Sequence, residues 1–211
     1  MKDTEQHLTL FSALPGHNLG LDHSGEQVEY DDHTCMMGNP AYADDGTVQC
    51  FNGAKSWYLG WYNDRHSVVQ PTSAAWNGLL AGINDYVNGQ TLVNVHSVVV
   101  RIDDTTGKKD LYLMYNKQEG INSQVKEYGD TVTVVSATNS YTSGQSLLLA
   151  HLTAGTEYRQ AGFSGSQKEL VIKVCSMDSG SPDTARVLVY LAGLNDQSCD
   201  SVAPTRAPTR A

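Results

Sequence analysis

Leu170-Val171-Ile172-Lys173-Val174 and Val187-Leu188-Val189-Tyr190-Leu191 read as two buried strands, each a short apolar run rich in β-branched residues. Outward from them the pattern repeats. Residues 92–103, 110–118, 130–138, 145–153, 169–177 and 185–192 form β-branched or aromatic segments, and Gly, Asn, Asp and Ser clusters separate them. Asp103-Asp104-Thr105-Thr106-Gly107 has the composition of a hairpin loop. Several such segments with no long helix between them predict an antiparallel β-sandwich over 65–202. Residues 73–87 read as a short helix leading into it. Beyond Cys199 a Pro-Thr-Arg-Ala repeat over 203–211 favours extended geometry and reads as a linker or stalk.

Composition narrows the function. The 211 residues suffice for one large domain or two small ones with a real core. A net charge of −9 and the lack of a Lys/Arg stripe exclude a nucleic-acid partner of the usual basic kind. No apolar run reaches the ~20 residues of a transmembrane helix. The polar start, Met1 to His7, is not that of a signal peptide, and no Asn-x-Ser/Thr sequon occurs. Four cysteines, at 35, 50, 175 and 199, fall in two sequence-local pairs. That suggests Cys35–Cys50 and Cys175–Cys199 disulfides in a secreted domain, although four cysteines allow three pairings and four reduced thiols are the alternative.

The chemistry-bearing run is Gly16-His17-Asn18-Leu19-Gly20-Leu21-Asp22-His23-Ser24-Gly25. A helix ending in His-x-x-Gly-x-x-His can put two imidazoles on one metal. The first His comes from the last helical turn, the Gly turns the chain back with φ > 0, and the second His sits on the returning segment. The stretch after it, 22–45, holds seven carboxylates and no Lys or Arg; it can bind calcium, and a solvated loop face is the simpler reading. Asp32-His33-Thr34-Cys35-Met36-Met37-Gly38 has tight-turn composition. The run from Cys50 to Tyr62 reads as a helix capped by Asn52, with Trp57 and Trp61 packing from one face and Gly60 near its end.

In their order, these three stretches resemble the gametolysin-like zinc metallopeptidases of the metzincin clan. The first looks like the end of their zinc helix, the second like their Met-turn with Met37 under the metal, the third like their last catalytic-domain helix. The longer family pattern is His-Glu-x-x-His-x-x-Gly-x-x-His, whose Glu acts as general base. The resemblance implies an α+β fold, with the C-terminal part of a metzincin catalytic domain over 16–64 ahead of the sandwich. It implies Zn2+ as cofactor, His17 and His23 as metal ligands, and structural roles for Gly20 and Met37. It further implies a secreted endopeptidase acting on extracellular-matrix or cell-wall proteins.

The departure is local. The first ligand and the general base of the pattern fall on Ala13 and Leu14, so no catalytic residue is assigned. Residues 1–15 do not match the family, and this abrupt boundary suggests a truncated chain that binds zinc weakly and is inactive. His7 is ten residues from His17 and cannot share its helical face; His33 reads as a loop histidine. The competing reading is a non-catalytic sandwich that binds matrix glycans or proteins, which exposed aromatics on one face, such as Tyr112 and Tyr115 or Tyr141, would support if they form a patch.

Overall fold

Every residue of Asp110–Asn116 is buried, which an alternating, half-solvated strand would not show. The reason lies in what covers its two faces. In the computed structural model, which describes residues 16–39, 48–86, 96–106, 109–138 and 144–200, this strand lies in the interior of a six-stranded sheet, third from one edge. In chain order the strands are β1 (Ser24–Gly25), β2 (His66–Val69), β3 (Trp76–Ala81), β4 (His96–Ser97), β5 (Val99–Ile102), β6 (Asp110–Asn116), β7 (Thr131–Ala137), β8 (Ser146–Leu152), β9 (Glu157–Ala161), β10 (Glu169–Asp178) and β11 (Thr184–Leu191). The first sheet runs β1-β8-β7-β6-β5-β2 and the second β4-β3-β11-β10-β9.

The inner faces of the sheets meet in one core. Val100, Ile102, Leu111, Leu113, Val132 and Val134 of the first sheet pack with Trp76, Leu80, Leu170, Ile172, Val187 and Val189 of the second. Gly78, two residues from Trp76 on the same face, leaves the space in which the indole lies: a Cβ there would meet Trp76 Cζ2 at 2.0 Å. The outer face of the first sheet is covered by the helix α1 (Gly53–Tyr58), whose Ala54 packs with Val99, Tyr112 and Val135. Tyr112 therefore points to the helix and Leu111 and Leu113 to the inter-sheet core, the period-two alternation of a strand buried on both sides. The described residues before β2 thus share a sheet and a core with the rest of the sandwich: β1 pairs with β8, and α1 lies on β5 to β7.

Three expectations need correction. The sandwich is mixed rather than antiparallel, since β1–β8, β2–β5 and β3–β4 run parallel. All three parallel contacts lie at sheet edges, where a short strand arriving from a loop can pair in either direction. The segment read as a helix over 73–87 carries β3 at Trp76–Ala81, paired antiparallel with β11, and, among the described residues, only a single 3₁₀ turn at Ile83–Asp85. Cys175 and Cys199 are bonded, but Cys35 and Cys50 are free thiols. Cys35 is fully buried and turned to the chain around α1, where its Sγ accepts from the backbone N–H of Asn52 at 3.3 Å and of Met37 at 3.5 Å. Burial, and next the charge of Asp32, pushes its thiol up to about 12; burial does the same for Cys50. Both stay protonated at neutral pH, a state unreactive toward disulfide exchange.

No helix among the described residues is long and apolar enough to cross a membrane.

Candidate functional site: a histidine pair above a methionine turn

The chain is helical over 16–18 and ends there by a Schellman closure. Leu21 N–H donates to Gly16 O at 3.0 Å and Gly20 N–H to His17 O at 2.9 Å. Gly20 takes φ +77°, the left-handed conformation that this closure demands of the residue after a helix. It reverses the chain so that His23 comes back beside His17.

The returning strand is locked to the turn below it. Ser24 N–H donates to Met37 O at 2.9 Å, and Gly38 N–H closes the turn on Cys35 O at 2.9 Å. Met37 is fully buried in a small cluster with Leu21, Cys35 and Phe51. Its thioether runs directly under the helix end, where a Cβ on Gly16 would stand 2.1 Å from Met37 Sδ. Gly16 is thus the close approach that lets the methionine sit beneath the pair. The turn itself hangs on the buried carboxylate of Asp32. Thr34 N–H donates to it at 2.9 Å, as do the hydroxyls of Thr34 and Ser24 and the amide of Asn52.

His17 and His23 converge. Their Nε2 atoms are 3.2 Å apart, with ring centroids at 4.9 Å and planes at 79°. Each Nδ1 faces an acceptor: Leu21 O at 2.8 Å for His17, and the Glu29 carboxylate for His23. A carbonyl or carboxylate can only accept, so each Nδ1 carries a proton, and the two Nε2 atoms are left facing one another, where one proton or one cation between them satisfies both. A zinc ion bound tetrahedrally to both nitrogens would set them about 3.3 Å apart and the ring centroids about 5 Å apart. The observed spacing fits that geometry, and the carbonyl–His and carboxylate–His contacts are the usual supports of metal-binding imidazoles.

Tyr30 completes the surroundings. Its ring lies over the His23 imidazole with centroids 3.9 Å apart, and its Oη stands 2.8 Å from His23 Nε2. Burial, and then the charges of Glu29 and Asp22, hold its phenol above the ordinary value. Spacing motifs do not reveal this residue. The signal was the acidic run around it, where Glu29 and Asp31 turn out to have work: Glu29 orients His23, and Asp31 accepts the backbone N–H groups of Gln27 and Val28 and thereby folds the loop. Among the described residues no group of three or more His, Cys, Asp or Glu is placed to hold a metal; Asp44 and Asp45 of the acidic run lie outside them.

Other candidate residues lie elsewhere. His33 Nδ1 is bonded to Asn39 O at 2.7 Å, away from the pair. Ala13, Leu14 and His7 lie outside the described residues, as does Tyr141. Tyr112 and Tyr115 are 6% and 4% exposed, so these two form no surface patch. Trp57 stacks on His66 at 4.0 Å as core, but Trp61 lies past the helix end and is exposed, because α1 stops at Tyr58 and Gly60 takes φ +71°.

The fold and the site together define a mostly β protein of two packed sheets with a histidine pair held above a buried methionine. Comparison with family models, with curated proteins and with solved structures finds no match to this chain.

Proposed function

We propose that this chain carries the zinc-binding turn and the Met-turn of a gametolysin-like, secreted metalloendopeptidase, with His17 and His23 as zinc ligands. The observation that carries the reading is the convergence of the two Nε2 atoms at 3.2 Å, each imidazole having its other nitrogen tied to an acceptor. A cation shared between them would satisfy both nitrogens at that spacing. Met37 beneath the pair and the Cys175–Cys199 disulfide, which suits an extracellular setting, support the same reading.

Zinc in this position supplies a Lewis acid for a peptide carbonyl. The chain's own residues set the rest. Leu21 O and Glu29 fix the tautomers and aim the imidazoles, while Met37 and the Asp32 node give the turn a rigid floor. With Ala13 and Leu14 where the family places its first His and its Glu, the family's general base is missing from its position, a loss of typically ~10²–10⁴ in rate. The chain therefore binds zinc without appreciable peptidase activity. Its substrate class, once the base is supplied, is extracellular-matrix or cell-wall protein.

Calorimetric zinc titration tests this. The full chain should take up one zinc, His17→Ala and His23→Ala should abolish uptake, and Ala13→His/Leu14→Glu should gain chelator-sensitive peptidase activity. Zinc uptake unchanged in both histidine variants, or none in the parent chain, would overturn it.

A further inference from the structure

We infer that Tyr30 is a protein ligand to the metal shared by His17 and His23, making a His₂Tyr site. The inference rests on the zinc reading above and adds a donor that the family pattern does not contain. Its first support is position: Tyr30 Oη lies 2.8 Å from His23 Nε2, the same atom that His17 Nε2 approaches at 3.2 Å.

The second is direction. A phenol donating along the lone pair of Nε2 would extend outward in the imidazole plane, and its ring would stand well clear of the His23 ring. Instead the two rings overlap, with centroids 3.9 Å apart. The hydroxyl therefore approaches Nε2 from above the imidazole plane. That is where the oxygen of a co-ligand sits when nitrogen and oxygen share one ion.

The third is the backbone. Tyr30 has φ +73°, a conformation uncommon for an aromatic residue and worth of order 1–3 kcal/mol of strain. Burial does not explain it, because Tyr30 is 36% exposed. What the conformation achieves is specific. Consecutive side chains of an extended segment point to opposite sides, yet Glu29 reaches Nδ1 of His23 and Tyr30 reaches Nε2 of the same ring. The loop that holds this geometry is tight: Asp31 gathers the N–H groups of Gln27 and Val28, and a Cβ on Gly25 would meet Val28 O at 2.3 Å.

Three protein donors and one open position form the usual set of a working zinc site, whereas two imidazoles alone fall short of it. Binding is then an exchange: the Tyr30 O–H bond breaks, an O–metal bond forms, and one proton leaves to solvent. The charge of the dication compensates the phenolate.

The test uses the full chain with Zn2+ for affinity and Cu2+ for spectroscopy. Tyr30→Phe keeps the ring over His23 and removes only Oη. It should weaken zinc binding by at least the ~10–100-fold that loss of a supporting partner costs, and it should abolish a tyrosinate-to-Cu2+ charge-transfer band present in the parent chain. Tyr30→Phe with undiminished zinc affinity, or a parent chain that binds Cu2+ without that band, would overturn the assignment while leaving the histidine pair intact. A parent chain that binds neither metal overturns the zinc reading itself, and the tyrosine ligand with it.

Discussion

The histidine pair depends on a single glycine. Gly20 sits at φ +77° with only Tyr58 Oη near the place of a Cβ, at 3.5 Å, so added bulk is not the obstacle there; conformation is. Gly20→Ala should therefore destabilise the protein by about 1–2 kcal/mol, and Gly20→Asn by less, because Asn tolerates the left-handed region. Urea unfolding of the three proteins measures this, and equal stability of the Ala and Gly forms would show that the helix closes some other way. This part of the site is legible in sequence because it is local: His-x-x-Gly-x-x-His states which residue must turn the chain back. Tyr30 is not legible, since nothing in its neighbours announces a positive φ in an aromatic residue. The Cys35 and Cys50 thiols show the same limit. Sequence proximity suggested a bridge, but Cys35 serves as a buried acceptor for Asn52 and Met37.

Among the elements, α1 does more than cover a sheet. Asn52 caps it through Oδ1, which accepts Lys55 N–H at 3.1 Å. The other end of the same side chain donates to Ser24 Oγ at 2.9 Å and Ser146 Oγ at 3.1 Å. One buried amide thus joins the helix, the strand that follows His23, and β8. Asn52→Ala removes the cap and leaves buried hydroxyls and the Asp32 carboxylate short of a donor, a loss of about 3 kcal/mol in all. Under the proposed zinc reading, metal affinity should fall with it, because Ser24 is the residue after His23. A loss below about 1 kcal/mol in thermal or chemical unfolding would mean that the node rearranges freely. The cap was readable from Asn52 and the downstream tryptophans, but its second role needs Ser24 and Ser146, 28 and 94 residues distant. Likewise Trp76-Asn77-Gly78-Leu79-Leu80-Ala81 reads equally as helix or strand, for a short apolar run buried almost throughout shows no period. Only β11 beside it decides.

At the scale of the whole molecule, the sandwich was legible because β6, β7, β10 and β11 are long, rich in β-branched or aromatic and other apolar residues, and bounded by turns. The edges were not, because two- to four-residue strands such as β1, β2 and β4 owe their existence to the sheets they join. The same burial that hides those edges sets the response of the molecule to acid. His96 in β4 is 8% exposed; burial foremost, and then the Arg65 guanidinium, hold its imidazole below the ordinary value. The unfolded chain takes up that proton first as pH falls through about 6.5, so stability conferred by neutral His96 is present above that value and is lost below it. Asp104 acts in a lower window. Burial alone would raise its carboxyl, but bonds from Thr106 and Ser164 outweigh it and hold it below the usual range. Its contribution is complete above about pH 4 and is lost as acid protonates it. Asp110 beside it works oppositely: burial raises its carboxyl, so acid relieves it, and the net change at Asp104 is best read as a difference between proteins. Denaturation midpoints taken from pH 8 to pH 3 should therefore fall in two stages. His96→Gln should flatten the first, below about 6.5, and Asp104→Asn the second, below about 4. A single fall that neither substitution alters would place the acid sensitivity elsewhere in the molecule.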